Sequence, residues 1–218
     1  GMTPLMPLSG ERGFDPPGRV WVKDDTRLAS GSSKDRATAV ALSRARQRGY
    51  TRVAAASTGN AAASVACYAA RAGLECVVFA PARAPAAKLL QIRAYGAQLV
   101  AVDGSYDEAF DLCARYCQAT GAYNRNTASN PFLGEGKKTL ALEIWDQLGG
   151  RAPTWVVVPV GDGCILGGVH KGFADLLGAG LIETMPRLLG VQPDGSAALA
   201  RAWRAGATDC EPVVSRTV

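Results

Sequence analysis

The sequence predicts an α/β fold with parallel sheets, and three observations carry that expectation. Segments of strand and helix periodicity alternate along almost the whole chain of 218 residues. One segment, Trp155-Val156-Val157-Val158-Pro159-Val160, is a nearly continuous apolar run, the pattern of a strand buried on both faces. Short loops rich in Gly, Ser and Thr open directly into helices, the position where such folds bind ligands.

The elements follow in order. After the turn-forming Asp15-Pro16-Pro17-Gly18, Val20-Trp21-Val22 reads as a short strand. Residues 34–47 carry Ala37, Val40, Ala41 and Ala45 at helical spacing, and Gly49 stops the helix. Residues 53–56 form the next strand, 61–71 a helix closed by Gly73, and 76–79 a strand. The alternation continues with a helix at 86–95, a strand at 98–102, a helix at 106–119 and a short strand at 122–124. A helix at 138–148 places Leu140, Ile144 and Leu148 on one face ahead of the apolar strand 155–160. A helix at 165–177, a strand at 188–191 and a helix at 197–204 complete the pattern.

Composition narrows the function. Hydrophobic residues make up 48% of the chain, enough for a sizeable core, and 24 basic against 19 acidic residues give a net charge of +5. The basic residues are spread rather than clustered, which argues against a nucleic-acid or membrane-surface protein. No apolar run is long enough to span a membrane and the first segment lacks the build of a signal peptide, so a cytoplasmic enzyme is expected. Six cysteines without a Cys-x-x-Cys pair, and a single histidine, His170, argue against a zinc site. Cys113 and Cys117 form an apolar stripe with Phe110 and read as core. One histidine and no Gly-x-Ser-x-Gly also disfavour a Ser-His-Asp hydrolase.

Three loops hold the candidate chemistry. Gly161-Asp162-Gly163-Cys164-Ile165 joins the apolar strand to a helix, and its backbone N–H groups and helix dipole suit a phosphate or carboxylate. An ordinary tight turn capped by Asp162 is the alternative. It is not a dinucleotide fingerprint, since Leu166 stands where the third glycine would fall, and Gly134-Glu135-Gly136-Lys137-Lys138-Thr139 is not a Walker loop. Ser57-Thr58-Gly59-Asn60 offers hydroxyls, an amide and backbone donors for a small carboxylate, unless Thr58 or Asn60 merely caps the helix. Lys34 opens a helix, where the dipole and Arg36 favour its free amine while Asp35 opposes them; a solvated lysine beside Asp35 and Arg36 is the alternative. An amine nucleophile, a carboxylate loop and a phosphate turn at three helix starts together describe a pyridoxal phosphate site.

The residues resemble a known family. Ser32-Ser33-Lys34-Asp35-Arg36, Ala56-Ser57-Thr58-Gly59-Asn60, Lys88-Leu89 with Gly96-Ala97, Asn130-Pro131, Glu135-Gly136-Lys137-Lys138-Thr139 and Pro159-Val160-Gly161-Asp162-Gly163 are similar, in order, to the threonine synthase branch of the fold type II pyridoxal phosphate enzymes. The resemblance implies two parallel-sheet, three-layer domains. Residues 1–30 belong to the large domain, 31–132 form the small domain, and 133–218 return to an incomplete large domain. It makes Lys34 the Schiff-base lysine, Asn60 the partner of the cofactor's 3-hydroxyl, and Ser57, Thr58 and Gly59, with Asn60, the substrate-carboxylate loop. Gly161, Asp162, Gly163, Cys164 and Ile165 become the phosphate cradle. Ser33 replaces the family's usual aromatic or apolar residue, and Lys137 stands where glutamine is common.

The implied activity is conversion of O-phosphohomoserine to threonine and phosphate, with threonine or serine ammonia-lyase and a non-catalytic cofactor-binding remnant as rivals. Family members continue past Val213-Val214-Ser215-Arg216-Thr217-Val218 to a residue at the pyridine nitrogen. The resemblance therefore implies a shortened chain with little turnover, apolar faces left open, and self-association, as a homodimer, acting on a small amino acid.

Overall fold

The computed structural model describes residues 1–8, 18–127 and 130–213. Asp15, Pro16 and Pro17 of the expected turn, and Val214 to the end of the chain, lie outside them. The chain forms two compact units, Gly1–Gly136 and Lys137–Val218.

In the first unit, β1 (Leu5–Leu8) pairs antiparallel with β2 (Val20–Lys23), Leu5 facing Lys23 and Leu8 facing Val20. The antiparallel pair comes in addition to the parallel sheets the sequence predicts, and β1 itself was not expected. Leu5-Met6-Pro7-Leu8 has no alternation, so pairing with β2 rather than local pattern makes it a strand.

The main sheet of this unit is wholly parallel, in the order β5-β4-β3-β6. Its strands are β3 (Arg52–Ala56), β4 (Glu75–Pro81), β5 (Gln98–Val102) and β6 (Tyr123–Asn124). Helices α1 (Lys34–Gln47), α2 (Asn60–Ala72), α3 (Ala86–Ala94) and α4 (Tyr106–Thr120) connect them. Alternation along β3 divides the core: Val53 and Ala55 meet Ala41, Ala45, Val65 and Ile92 of α1, α2 and α3, while Ala54 and Ala56 meet Ala109, Cys113 and Cys117 of α4. The result is a three-layer arrangement, and Cys113 and Cys117 are core residues as expected. Helix ends follow local chemistry. Gly73 closes α2 at φ +67°, and Ser105 and Glu108 form a reciprocal capping box on α4.

Helix α5 (Phe132–Gln147) begins six residues before the expected start at Lys138. Asn130 Oδ1 accepts the Phe132 N–H at 3.1 Å and Pro131 directly precedes the helix, a strong local start signal. Gly134 and Gly136 lie within the helix. A Cβ on Gly136 would overlap the Arg36 carbonyl oxygen, so glycine lets α5 lie against the α1 backbone. The boundary between the two units falls inside α5.

The second unit holds the rest of α5, a parallel pair β7 (Trp155–Pro159) and β8 (Arg187–Val191), and helices α6 (Cys164–Gly178) and α7 (Ala198–Arg204). Helix α6 packs on α5 through Gly168 and Gly172, where a Cβ would come within 2.5 Å of Lys137 Cβ and of the Lys138 oxygen. The expectation that the run from Trp155 is buried on both faces is corrected: Val158 is buried, but Trp155 is 52% and Val157 63% exposed. Among the described strands β7 has only β8 as a neighbour, and only the face carrying Val158 is covered. Among the described residues no helix is long and apolar enough to cross a membrane.

Candidate functional site

Lys34 is the first residue of α1 and is half-buried. The chain leading to it is pinned. Asp35, fully buried, accepts the Ser30 N–H at 2.7 Å and the Ser30 hydroxyl at 2.5 Å, and Ser32 Oγ accepts the Lys34 N–H at 3.3 Å. Arg36 makes a two-pronged pair with Asp25, at 2.8 and 2.7 Å, and donates to Thr3 Oγ1 at 3.0 Å. The expected influence of Arg36 on Lys34 is thus offset by a carboxylate: Arg36 anchors the β1–β2 segment to the first turn of α1.

Asn60 opens α2 just as Lys34 opens α1. Both helices join β3 through short turns, at residues 48–51 and 57–59, and so run in the same direction, opposite to the strand. One turn into each, Ser64 Oγ donates to Thr38 Oγ1 at 2.8 Å. Lys34 precedes Thr38 by four residues and Asn60 precedes Ser64 by four, a rise of about 6 Å in each helix. The hydroxyl bond therefore sets the starts of the two helices side by side at the C-terminal end of β3.

Ser57-Thr58-Gly59 lies between β3 and α2, its backbone fixed by Ser57 N–H to the Phe79 oxygen at 3.1 Å and Gly59 N–H to Ser57 Oγ at 3.2 Å. The N-cap of α2 is Gly59 and no side chain caps it, so Thr58 and Asn60 are not capping residues. No described hydrogen bond uses the Thr58 hydroxyl or the Asn60 amide protons. Asn60 Oδ1 instead accepts from Lys88 Nζ at 2.9 Å.

Two further residues belong to this end of the sheet without having been expected there. Arg125, only 2% exposed, follows β6 and donates to Thr38 Oγ1 at 3.0 Å, beneath Lys34. Asn126 Oδ1 accepts the Ala56 N–H at 2.7 Å, holding the last residue of β3 before the loop. Arg125 meets its partner across 87 positions of sequence, so no local pattern marks it. Lys88 stood in a family-like motif, but its bond to Asn60 is visible only in three dimensions.

The turn 161–165 lies in the second unit. Gly163 adopts φ +80° and precedes α6, and Asp162 Oδ1 accepts the Cys164 N–H at 3.0 Å. Asp162 therefore does act locally, as the bland reading expected. Yet among the described residues the N–H groups of Asp162, Gly163 and Ile165 have no hydrogen-bond partner, and a Cβ on Gly161 would meet nothing within 4 Å. Unpartnered donors at a helix start suit an anion, although the side of Gly163 where a Cβ would stand is closed by Leu199. Burial pushes the Cys164 thiol above its ordinary pKa, which keeps it protonated and adds no negative charge to the turn.

Comparison with known proteins shows the family. Residues 1–218 match the family model described as pyridoxal-phosphate dependent enzyme. The threonine synthase of Methanocaldococcus jannaschii is 38% identical over 194 residues, 88% of this chain and 48% of its own length. That of Synechocystis sp. is 39% identical over 201 residues, 90% and 52%. The chain spans about half the length of the curated relatives it matches. Among solved structures, a threonine deaminase from T.th. superposes with a TM-score of 0.84 at 28% identity, over 100% of this chain and 68% of that one. With a family match over every residue and a parallel α/β architecture, the chain belongs to the pyridoxal-phosphate dependent enzyme family.

Proposed function

We propose that this chain is part of a pyridoxal phosphate-dependent lyase of the threonine synthase type, acting on O-phosphohomoserine to give threonine and phosphate. The observation that carries the reading is the pairing of helix starts that sets Lys34 beside Asn60 and the Ser57-Thr58-Gly59 loop. The 38–39% identity to threonine synthases supports the substrate class.

The residues fit the cofactor. In the first unit Lys34 would supply the amine for its aldehyde carbon and Asn60 the amide for its 3-hydroxyl, and in the second unit the N–H donors of the turn Gly161-Asp162-Gly163-Cys164-Ile165 are of the kind that would take its phosphate. When bound, pyridoxal phosphate supplies a conjugated ring that takes up the electron pair left at the substrate's α-carbon. Ser57, Thr58 and Gly59 orient the α-carboxylate through hydroxyl and N–H donors at the start of α2. With the cofactor and substrate bound, the free Lys34 amine would remove the proton at Cα and carry it for return. Arg125, Thr38 and Ser64 fix the backbone behind Lys34, and Asp35 with Ser30 fixes the loop ahead of it.

The domain division at residues 31–132 and 133–218, a homo-oligomer and a cytoplasmic setting are part of the same reading. The three-layer sheet of the first unit supports the small domain, and the exposed Trp155, Val157, Leu189 and Val191 support association. A second reading, threonine or serine ammonia-lyase, is favoured by the similarity to the T.th. threonine deaminase.

Borohydride reduction of the cofactor-loaded chain followed by peptide mapping tests the site: the label is expected on Lys34, and label on Lys23 or Lys88 overturns the assignment. Side-by-side assay of O-phosphohomoserine, threonine and serine separates the two activities.

A further inference from the structure

Lys137, the residue of α5 that opens the second unit, is only 5% exposed although it carries an ammonium. Its place follows from the packing of α5 on α6. A Cβ on Gly168 would fall 2.5 Å from Lys137 Cβ, and one on Gly172 2.7 Å from Ala141 Cβ, so the two helices run in the same sense where they touch. Side chains lean towards the start of their own helix, which directs the Lys137 stem at the start of α6. Cys164 stands one turn before Gly168 on the same face, about 6 Å along the axis, and a four-carbon stem spans that step. The ammonium accordingly lies within hydrogen-bond reach of the Cys164 sulfur, in the turn 161–165. Other cations of this unit are engaged elsewhere, Lys138 and Lys171 on Asp175 and Arg187 over the Trp155 ring.

The turn itself is short of positive charge. Its N–H donors carry partial charges only, and the Asp162 carboxylate within it opposes an arriving anion. We propose that Lys137 binds the phosphate group of the cofactor, supplying from α5 the full positive charge that the turn 161–165 lacks. This rests on the pyridoxal phosphate reading of the turn and adds to it a residue from a different helix. A phosphate monoester carries close to two negative charges near neutral pH, so beside Asp162 a cation decides how firmly it is held. The same contact benefits the lysine, because an anion within reach offsets the desolvation of a buried ammonium. Glutamine, common at this position in the enzymes the chain resembles, offers a donor without a charge, so the lysine adds what that residue does not.

The test is equilibrium dialysis of pyridoxal phosphate, and of pyridoxal, which lacks the phosphate, against the full chain for wild type, Lys137→Gln and Lys137→Met, each first checked for a cooperative urea transition without ligand. Wild type is expected to prefer pyridoxal phosphate. Both variants are expected to lose on the order of tenfold or more in affinity for it, the effect of one charge-assisted hydrogen bond, while binding pyridoxal as wild type does. Where one variant does not fold, the other carries the comparison; loss of folding in both assigns the ammonium to the packing of the helices and overturns the proposal. Unchanged affinity for pyridoxal phosphate in a folded variant overturns the proposal while leaving the turn as the phosphate cradle. An equal loss for both ligands does the same and assigns Lys137 to holding α5 on α6. A wild type that binds pyridoxal as tightly as pyridoxal phosphate overturns both the proposal and the reading of the turn, and one that binds neither overturns the lyase reading as well.

Discussion

Strands β3 and β7 are each five residues long and mainly apolar, yet they end in opposite environments. β3 lies between β4 and β6 with helices over both faces, and Val53, Ala54, Ala55 and Ala56 are all buried. β7 pairs with β8 alone among the described strands, and one face of that pair presents Trp155, Val157, Leu189 and Val191. The Arg187 guanidinium lies 5.2 Å above the Trp155 ring and covers part of that face. The lesson is that an apolar run specifies a strand, while its neighbours decide how much of it leaves water. The difference also bears on function, because the residues proposed to hold the substrate stand at the end of the fully enclosed strand. A rigid, doubly covered sheet keeps the starts of α1 and α2 in register, which a half-covered pair of strands does less well.

Substitutions can break this contrast, and the largest effect is expected in β3. Ala55→Asp places a carboxylate among Val65, Ile92 and the α1 alanines with no partner, and should cost more than about 4 kcal/mol, enough to prevent folding. Circular dichroism would check it; a native spectrum and an unchanged melting temperature would show that this sheet is not the core. Next, Asp25→Ala strips the carboxylate from Arg36, whose side chain is almost entirely buried, and should cost about 3 kcal/mol in urea unfolding. The same variant loosens the segment ahead of Lys34, so borohydride labelling there should fall as well.

A smaller effect is expected from the thiols. Burial pushes the Cys76 thiol from 9.0 up to about 12, so between those values the unfolded chain gives up a proton that the folded chain retains. Stability from this group is therefore complete below pH 9 and declines as pH rises towards 12, measurable as a falling urea midpoint. Native alkylation should reach the exposed Cys210 quickly and Cys76 only on unfolding. The smallest effect is expected for Val157→Asp, within about 0.5 kcal/mol, because that side chain is already largely in water. A large loss of stability there would mean that the β7–β8 face is covered in solution.

Much of the fold was legible because its signals are local. Residues 34–47 and 98–102 read from periodicity and turn residues as the helix and strand they form, and the glycines at 49 and 73 stop helices as their positions suggested. The start of α5 was misjudged since Gly134 and Gly136 weaken a helix in isolation, and only the closeness of the Arg36 carbonyl explains why glycine stands there. β1 was missed because its four residues carry no pattern without their partner strand. In the candidate site, Lys34, Asn60 and the Ser57-Thr58-Gly59 loop were found from residue type at helix starts. Arg125 and Asn126 were not, since each acts on a partner about seventy or more positions away, Ala56 for one and Thr38 for the other.

The sequence by itself determined the order of strands and helices from β2 onward, the parallel α/β class, the family and the residues carrying reactive groups, because periodicity, caps and motifs are written in neighbouring positions. Tertiary structure alone decided which apolar strand is enclosed, which cation is matched by a carboxylate, and that the ammonium of Lys88 is held at Asn60 instead. Burial and charge pairing depend on distances in space between groups far apart along the chain, and no local pattern of residues encodes those distances.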